Sequence, residues 1–354
     1  MISTRKPTLR LATILFAATL TSLPAFATLT RIRMSANEPL IPQLAAGLGA
    51  FAEEGLEVEF IKVEDYSKED YLMQEPLVQG RFDASYHWFQ HVVFGARHNL
   101  PLKAVLMAND TPNMKIFVAN RLKEQIRSAA DFKGRNVAEG HGYATKSLVT
   151  RYLAHHAGLP DHTYQAVLTE TEGRREAVLK GLAENRVDIL SFMEPMTSAI
   201  ADTEQVTTLY DLTTRAGTIQ AFGAPWPSHS LFLSAAYIEK NPATVQRLVN
   251  AFVRALRYFN SHTPEEIAGK LPAAYFGKGD RATALDRIRK TQAGYARGDY
   301  SFSPAGVKLV TDAILWSDFD SSEEGRFRAT GDAKFRHEDL YDNRFVEKAM
   351  KEIK

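Results

Sequence analysis

The chain has 354 residues and contains no cysteine. This absence excludes disulfides, thiol nucleophiles, iron–sulfur clusters and zinc sites built on cysteine. It also excludes an acylated cysteine as a lipid anchor at a processed N-terminus. A chain of this length can bury a core large enough to fold without disulfides, so the absence does not argue against an oxidising compartment.

An excess of charge of one sign is also missing. The chain has 43 basic and 42 acidic residues, a formal net charge of +1. Residues 1–27 hold three basic side chains and no acidic ones, so their removal would leave a net charge of −2. Neither value provides the strong field with which proteins attract nucleic acid or an anionic membrane, so neither partner is expected.

Long hydrophobic runs are scarce, and the clearest one lies near the N-terminus. Residues 11–20, LATILFAATL, follow the basic residues Arg5, Lys6 and Arg10 and precede the small-residue pattern Ala-Phe-Ala that ends at Ala27. This order is typical of a secretory signal peptide, and we expect cleavage after Ala27. An uncleaved membrane anchor is the alternative, but the run is short for a membrane span.

Catalytic and nucleotide-binding signatures are missing as well. The chain has no GxSxG motif and no HExxH motif, and its glycines form neither GxGxxG nor a phosphate-binding loop. An enzyme would therefore depend on an acid–base pair, for which Glu194 with His141 or His229 are the candidates. We expect no enzymatic activity and no cofactor.

Short β-rich segments alternate with helical ones along the chain, a pattern that predicts an α/β fold with a largely parallel sheet. Soft boundaries lie near residue 120 and within AFGAPWPSHS, residues 221–230, which is rich in Gly, Pro and Ser. We therefore expect a signal peptide over 1–27, a first lobe over 28–120, a second lobe over 121–225, and a return to the first lobe over 226–354. A separate domain made of the C-terminal third is the alternative.

Several segments in the same order resemble the periplasmic solute-binding proteins of ABC importers, in the nitrate/sulfonate/taurine-type family. The resemblance is strongest over residues 34–250, and the segments that carry it are AFAEEGLEVEF, LVQGRFDASY, LPLKAVLMAN, SAADFKGRNVAEGHGYATKS, VLKGLAENRVDILSFMEP and YIEKNPATVQRLVNAFVRAL. The resemblance implies a two-lobed periplasmic-binding-protein fold of type II, with one ligand held in the cleft between the lobes.

One segment departs from that family. Residues 64–91, and above all the Phe-Gln-His run at Phe89, are locally closer to methionine-binding proteins. Those relatives are typically lipoproteins, and this chain lacks the cysteine that a lipoprotein requires. The departure affects the expected substrate class and leaves the expected fold unchanged.

Ligands of open α/β sheets bind beyond the carboxyl ends of the strands. That rule, applied to the predicted strands and to the second crossing segment, selects the candidate substrate-binding residues. They are Asn37, His87, Trp88, Asn109, Asp110, His141, Gly142, Tyr143, Ala144, Thr145, Glu194, Trp226 and His229.

The loop EGHGYATKS, residues 139–147, precedes a predicted helix. Free N–H groups at a helix start, together with the Thr145 hydroxyl, suit a carboxylate or sulfonate. The alternative is an ordinary strand–helix turn with Thr145 near the cap. Glu194 is similarly ambiguous, because it can accept a hydrogen bond from a ligand amine or merely favour the helix start beside Pro195.

The stretch SYHWFQH places His87 and His91 four residues apart. On one helix this spacing would suit zinc, but a strand ending at Trp88 would put the two imidazoles on different elements. An aromatic ligand platform that includes Trp88 and ordinary packing are the other interpretations. We expect no metal.

The function expected from the resemblance is an extracytoplasmic, periplasmic binding protein that delivers a small organic anion or zwitterion to an ABC permease and its ATPase. Sulfonates, taurine-like compounds and aromatic carboxylates are the expected ligands, and the protein is expected to be a monomer. The alternatives are a methionine, amino-acid or pyrimidine-precursor binding protein, a periplasmic enzyme on the same fold, and a ligand sensor that serves a receptor.

Overall fold

The structure is a computed structural model that describes residues 29–36, 39–61, 74–139, 144–167, 175–194, 196–276, 281–295, 298–317 and 334–353. The predicted signal peptide lies outside these residues. The described strands form two sheets of five strands each. Each sheet is the centre of one lobe, and helices cover its faces.

The first sheet holds the N-terminal strands and one strand that returns from the second lobe. In spatial order its strands are β2 (Leu56–Ile61), β1 (Thr30–Ala36), β3 (Ala84–Trp88), β10 (His229–Ser234) and β4 (Leu102–Met107). Strand β1 runs parallel to β2 and β3, and β10 is antiparallel to β3 and β4. The inner strand β3 is buried along most of its length, as expected when helices cover both faces.

The second sheet has the same plan. In spatial order its strands are β7 (Gln165–Ala166), β6 (Asn136–Ala138), β8 (Ile189–Met193), β5 (Met114–Ala119) and β9 (Val206–Leu212). Strand β6 runs parallel to β7 and β8, whereas β5 is antiparallel to β8 and β9. In each sheet, the strand that enters from the other lobe is therefore antiparallel to its neighbours.

The first change of sheet comes earlier than the sequence indicated. The expected boundary at residue 120 assigned the segment KIFVAN to the first lobe, but β5 belongs to the second sheet. The chain changes sheet between Met107 and Met114. Strand β5 belongs to the second sheet because it pairs with β8 and β9, which are distant from it in the chain. The hydrophobic pattern within β5 does not reveal this pairing.

The helices follow in chain order. They are α1 (Leu40–Gly47), α2 (Ala50–Glu53), α3 (Gln74–Val78), α4 (Gln90–Arg97), α5 (Thr145–His156), α6 (Arg175–Ala183), α7 (Met196–Ala201), α8 (Arg215–Phe222), α9 (Ala235–Lys240), α10 (Pro242–Ser261), α11 (Pro264–Lys270), α12 (Ala273–Phe276), α13 (Arg281–Thr291), α14 (Pro304–Trp316) and α15 (Arg344–Glu352). Within the described ranges, no helix is both long enough and apolar enough to cross a membrane.

The first lobe is built around α10, the longest of these helices. Its apolar face, which includes Leu248, Phe252 and Leu256, is fully buried, and it packs against α1, α2 and α15. Helices α1 and α2 follow each other closely in the chain but are separate. They are separate because Gly49 adopts a φ of 75°, a left-handed conformation that interrupts a right-handed helix.

Candidate functional site

A cavity of about 440 Å³ lies where the strand ends of the two sheets meet. Trp88 ends β3, and its register partner His229 begins β10. From the second sheet, Met193 ends β8 and Glu194 follows it, while Asn113 directly precedes β5. We refer to this cavity as the cleft, and it occupies the position where the strand-end rule places a ligand.

The wall from the first lobe is aromatic. The rings of Trp88 and His229 have centroids 4.2 Å apart, and His229 also stacks on Tyr86 at 5.9 Å. Burial lowers the pKa of His229 to about 3, so its imidazole is neutral near pH 7. Its Nε2 atom has no hydrogen-bond partner within the described part of the chain. A flat or apolar group of a ligand fits against such a wall.

Helix α13 supplies the other wall of the cleft. Five of its residues line the cavity, and they are Thr283, Asp286, Arg287, Lys290 and Thr291. Sequence reasoning missed all five, because a helix with alternating charges resembles a solvated surface helix. It also missed Asn113 and Met193. A signal for Asn113 was available, since an asparagine between a proline and a predicted strand favours a turn, and in the structure its φ is 53°.

The position of Glu194 is consistent with both interpretations of the sequence, a contact at a helix start and a contact with the ligand. Its Oε1 atom accepts a hydrogen bond of 2.8 Å from the Ser198 hydroxyl on α7, which is a contact at the helix start. The residue also lines the cleft, where no described basic side chain forms an ion pair with it. Glu194 is therefore held in place by α7 and remains available to accept an N–H group.

His87 and His91 lie behind the cleft and do not line it. His87 belongs to β3 and His91 to α4, and their rings meet edge to face at 4.2 Å. The Nδ1 atom of His87 accepts from the backbone N–H of Trp88, and Nδ1 of His91 lies 2.9 Å from the amide nitrogen of Gln74. Burial lowers the pKa of both histidines, that of His91 to about 3.

His87 and His91 are therefore packed, neutral imidazoles, one on β3 and the other on α4. Among the described residues, no group of three or more His, Cys, Asp or Glu side chains could hold a metal ion. The stretch SYHWFQH therefore contributes Trp88 to the cleft and two histidines to the core beneath it.

Asn109, Asp110 and Trp226 lie in the segments that cross between the lobes. The side chain of Asn109 donates to the carbonyl oxygen of Gly294 at 3.1 Å, and Asp110 forms an ion pair with Arg215. Trp226 is 2% exposed and packs against Phe222. None of the three lines the cleft, and their contacts stabilise the joint between the lobes.

A larger cavity, of about 560 Å³, also lies at this joint. Asp110, Arg215, Pro225 and Tyr300 are among the residues that line it. No strand of the second sheet contributes to its lining, so it does not lie between the strand ends of the two sheets. The smaller cleft is therefore the candidate ligand site.

The loop predicted to bind an anion is described only at its end. Asn37, His141, Gly142 and Tyr143 lie outside the described residues. Ala144 stands at the start of α5 without a side-chain cap, as its apolar side chain requires. Thr145 donates from its hydroxyl to Oε1 of Gln90 at 3.2 Å.

Glu139 is the first residue of this loop and is buried, with 3% of its surface exposed. Its carboxylate accepts a hydrogen bond of 2.5 Å from the Tyr164 hydroxyl. Burial raises the pKa of Glu139 to about 7, although Tyr164 and Arg151 both favour the charged form. Sequence reasoning did not select Glu139, because a single acidic residue at a strand end has no pattern that reveals its burial.

Two α/β lobes that exchange strands and enclose a cleft define the periplasmic-binding-protein class of fold. The chain belongs to the NMT1/THI5-like family, whose model matches residues 42–267. No curated protein matches the chain at a significant level.

Solved structures confirm the predicted fold. The periplasmic sulfonate-binding protein SsuA from Methylobacillus flagellatus KT matches with a TM-score of 0.65 and 15% identity, over 92% of this chain and 95% of that one. The periplasmic aliphatic sulphonate-binding protein SsuA from Escherichia coli matches with a TM-score of 0.61 and 17% identity, over 85% and 97%.

The periplasmic nitrate-binding protein NrtA from Synechocystis PCC 6803 gives a TM-score of 0.60 at 15% identity. The match covers 92% of this chain and 89% of that one. These similarities agree with the resemblance found in the sequence. Their names describe binding proteins rather than enzymes.

Proposed function

We propose that this chain is an extracytoplasmic solute-binding protein that delivers a small organic anion or zwitterion to an ABC permease and its ATPase. The observation that carries the proposal is the cleft, about 440 Å³ in volume and lined by strand ends of both lobes. A cavity of this size suits a small molecule, and closure of two lobes around a ligand is a known form of recognition.

The chemistry of the lining supports a ligand with charged and apolar parts. Trp88 and His229 form an aromatic wall, and Glu194, Arg287 and Lys290 supply charge. Sulfonates, taurine-like compounds and aromatic carboxylates combine these properties. The similar structures named for sulfonate and nitrate binding support an anionic group in the ligand.

Export to the periplasm, with cleavage after Ala27, is part of the proposal. It rests on the signal-peptide pattern and on the periplasmic proteins whose fold the chain shares. The chain is proposed to act as a monomer that docks on the permease. No catalytic role is assigned to the cleft, because a histidine with a pKa of about 3 is a poor general base near pH 7.

Ligand-induced stabilisation of the purified protein tests the proposal. The compounds are taurine, alkanesulfonates, arylsulfonates, aromatic carboxylates, methionine, pyrimidines and nitrate. A ligand at 100 times its Kd adds about 2.7 kcal/mol to the free energy of unfolding, which raises the melting temperature measurably. Trp88→Ala should abolish or reduce the shift, and the ligand should be recovered unchanged.

Two results would count against the proposal. Conversion of the bound compound into a product would identify an enzyme. Failure of every compound to raise the melting temperature would remove the evidence for a small anion or zwitterion as cargo.

A further inference from the structure

Helix α13 lies outside the region that the family model matches, which ends at residue 267. Its cavity-lining residues recur at spacings of three and four: Thr283, Asp286, Arg287, Lys290 and Thr291. Such spacing puts all five on one face of the helix. The adjacent face holds the buried residues Ala284 and Ile288. The polar face of α13 is therefore directed into the cleft.

Helix α13 is fixed at the joint between the lobes. The residue after it, Gln292, donates from its side chain to the carbonyl oxygens of Phe259 and His262, at 2.5 and 3.0 Å. Two residues later, the carbonyl oxygen of Gly294 accepts from Asn109 and Thr111 of the first crossing segment, at 3.1 and 3.3 Å. These bonds connect the helix end both to α10 and to the crossing.

The charges on this face are not all paired. Lys290 forms an ion pair of 2.7 Å with Asp286, one turn earlier. The guanidinium of Arg287 has no ion pair or hydrogen bond within the described ranges, although it lines the cleft. Across the cleft, Glu194 accepts from Ser198 and forms no ion pair with a basic side chain among the described residues. The cleft thus presents one available cation and one available anion on opposite sides.

The electrostatics agree with this geometry. The hydrogen bond that Lys290 donates to Asp286 raises the pKa of Lys290, and the negative charges of Glu194 and Asp202 in the second lobe contribute to the same effect. Helix α13 is therefore close enough to the second lobe for its charges to interact with the charge on Glu194.

We propose that α13 determines the charge of the ligand, with Arg287 binding its anionic group and Glu194 accepting an N–H group from its cationic end. The inference rests on the proposed function and adds a substrate class and two specificity residues. A zwitterion satisfies both groups. A simple anion leaves the Glu194 carboxylate unpaired beside the bound charge, which is unfavourable in a partly dehydrated cleft.

Two sets of compounds with matched carbon skeletons test the inference by calorimetry. The first set is taurine, ethanesulfonate and ethylamine. The second set is phenylalanine, 3-phenylpropanoate and phenethylamine. In at least one set, we expect the zwitterion to bind ten-fold or more tightly than the anion of the same skeleton, as expected for a charge-assisted hydrogen bond.

Two variants that each remove one charge identify the residues. Arg287→Gln should weaken binding of the zwitterion and the anion alike, by about ten-fold. Glu194→Gln should weaken binding of the zwitterion and strengthen binding of the anion, because it removes both the acceptor charge for the ligand's N–H group and the repulsion of the anion, so the two affinities should converge. The controls are Arg289→Gln, whose side chain pairs with Glu265 away from the cleft, and Glu184→Gln in the second lobe. Both controls should bind like the parent protein.

Several outcomes would overturn the inference. Equal affinities for zwitterion and anion, unchanged in Glu194→Gln, would overturn it and leave solute binding intact. Full affinity in Arg287→Gln would exclude α13 from ligand recognition. If nitrate or a larger arylsulfonate binds and no compound of either matched set does, the ligand is not a zwitterion. That result would overturn this inference and support the proposed solute-binding function.

Discussion

The Thr145 hydroxyl donates a hydrogen bond to Oε1 of Gln90, with 3.2 Å between the two oxygen atoms. Thr145 begins α5, which follows β6 of the second sheet, and Gln90 begins α4, which follows β3 of the first. The bond therefore joins the two lobes at the helix starts that lie beyond their strand ends. The sequence predicted that the Thr145 hydroxyl binds the ligand, but in the structure this hydroxyl bonds to Gln90 of the other lobe.

This bond should favour the closed arrangement of the lobes and so contribute to ligand affinity. A hydrogen bond of this kind contributes about 0.5–1.5 kcal/mol, which corresponds to roughly a two- to twelve-fold change in Kd. We expect Thr145→Val and Gln90→Leu each to weaken binding by that factor. The double variant should bind no more weakly than either single variant. Calorimetry on the four proteins gives the coupling free energy.

Thr163→Val is the matched control, because the Thr163 hydroxyl bonds to Pro160 within one lobe. Its affinity should equal that of the parent protein. If Thr145→Val weakens binding by the same factor in the parent protein and in the Gln90→Leu variant, Thr145 acts on the ligand directly. That result would support the interpretation from the sequence and contradict the contact between lobes as the source of the effect.

Trp88 should report ligand binding through its fluorescence. It is one of three tryptophans, and the other two, Trp226 and Trp316, do not line the cleft. Binding should change the emission of the parent protein and of Trp316→Phe, but not that of Trp88→Phe. Trp88→Ala should weaken binding by about ten-fold, since it removes an aromatic contact worth roughly 1–2 kcal/mol. If ligand binding still changes the emission of Trp88→Phe as strongly as that of the parent protein, the ligand binds away from Trp88.

The cleft-lining residues that depend on local pattern could be predicted from the sequence. Trp88 and Glu194 follow strands whose apolar residues are easily recognised, and the strand-end rule then places them at the cleft. His229 was found for the same reason, at the start of the returning strand. These residues required only strand positions and the order of the elements.

The rest of the site depends on contacts between distant segments. Arg287 and Lys290 line the cleft only because Gln292 and Gly294 connect their helix to α10 and to the first crossing segment. Asp110 had the polarity of a ligand-binding residue, but its carboxylate pairs with Arg215, 105 positions later in the chain. Sequence periodicity does not predict such pairings. It could therefore not distinguish the residues that line the cleft from those that stabilise the joint between the lobes.

Two glycines in the first lobe should respond in opposite ways to alanine. A Cβ on Gly47 in α1 would lie 1.8 Å from the carbonyl oxygen of Lys270, whereas a Cβ on Gly269 would meet no atom within 4 Å. Gly47→Ala should lower the free energy of unfolding by about 1–3 kcal/mol or more, because α1 and α11 must move apart. Gly269→Ala should raise it by about 0.5–1 kcal/mol. Urea denaturation followed by circular dichroism measures both, and equal effects would contradict this packing.

Glu139 should make the stability of the protein depend on pH. Burial raises its pKa to about 7, above the ordinary value of 4.5, so the folded state retains a proton that the unfolded state releases. The resulting stabilisation is fully present below pH 4.5 and is lost as the pH rises through about 7, at a cost of about 3 kcal/mol by pH 8. Glu139→Gln keeps an acceptor for Tyr164 but has no proton to lose. Its free energy of unfolding, relative to that of the parent protein, should therefore rise between pH 5 and pH 8 in urea titrations.

Glu184→Gln, at an exposed position, is the control, and its stability should depend on pH as that of the parent protein does. Parallel curves for Glu139→Gln and the parent would show that Glu139 does not titrate in this range.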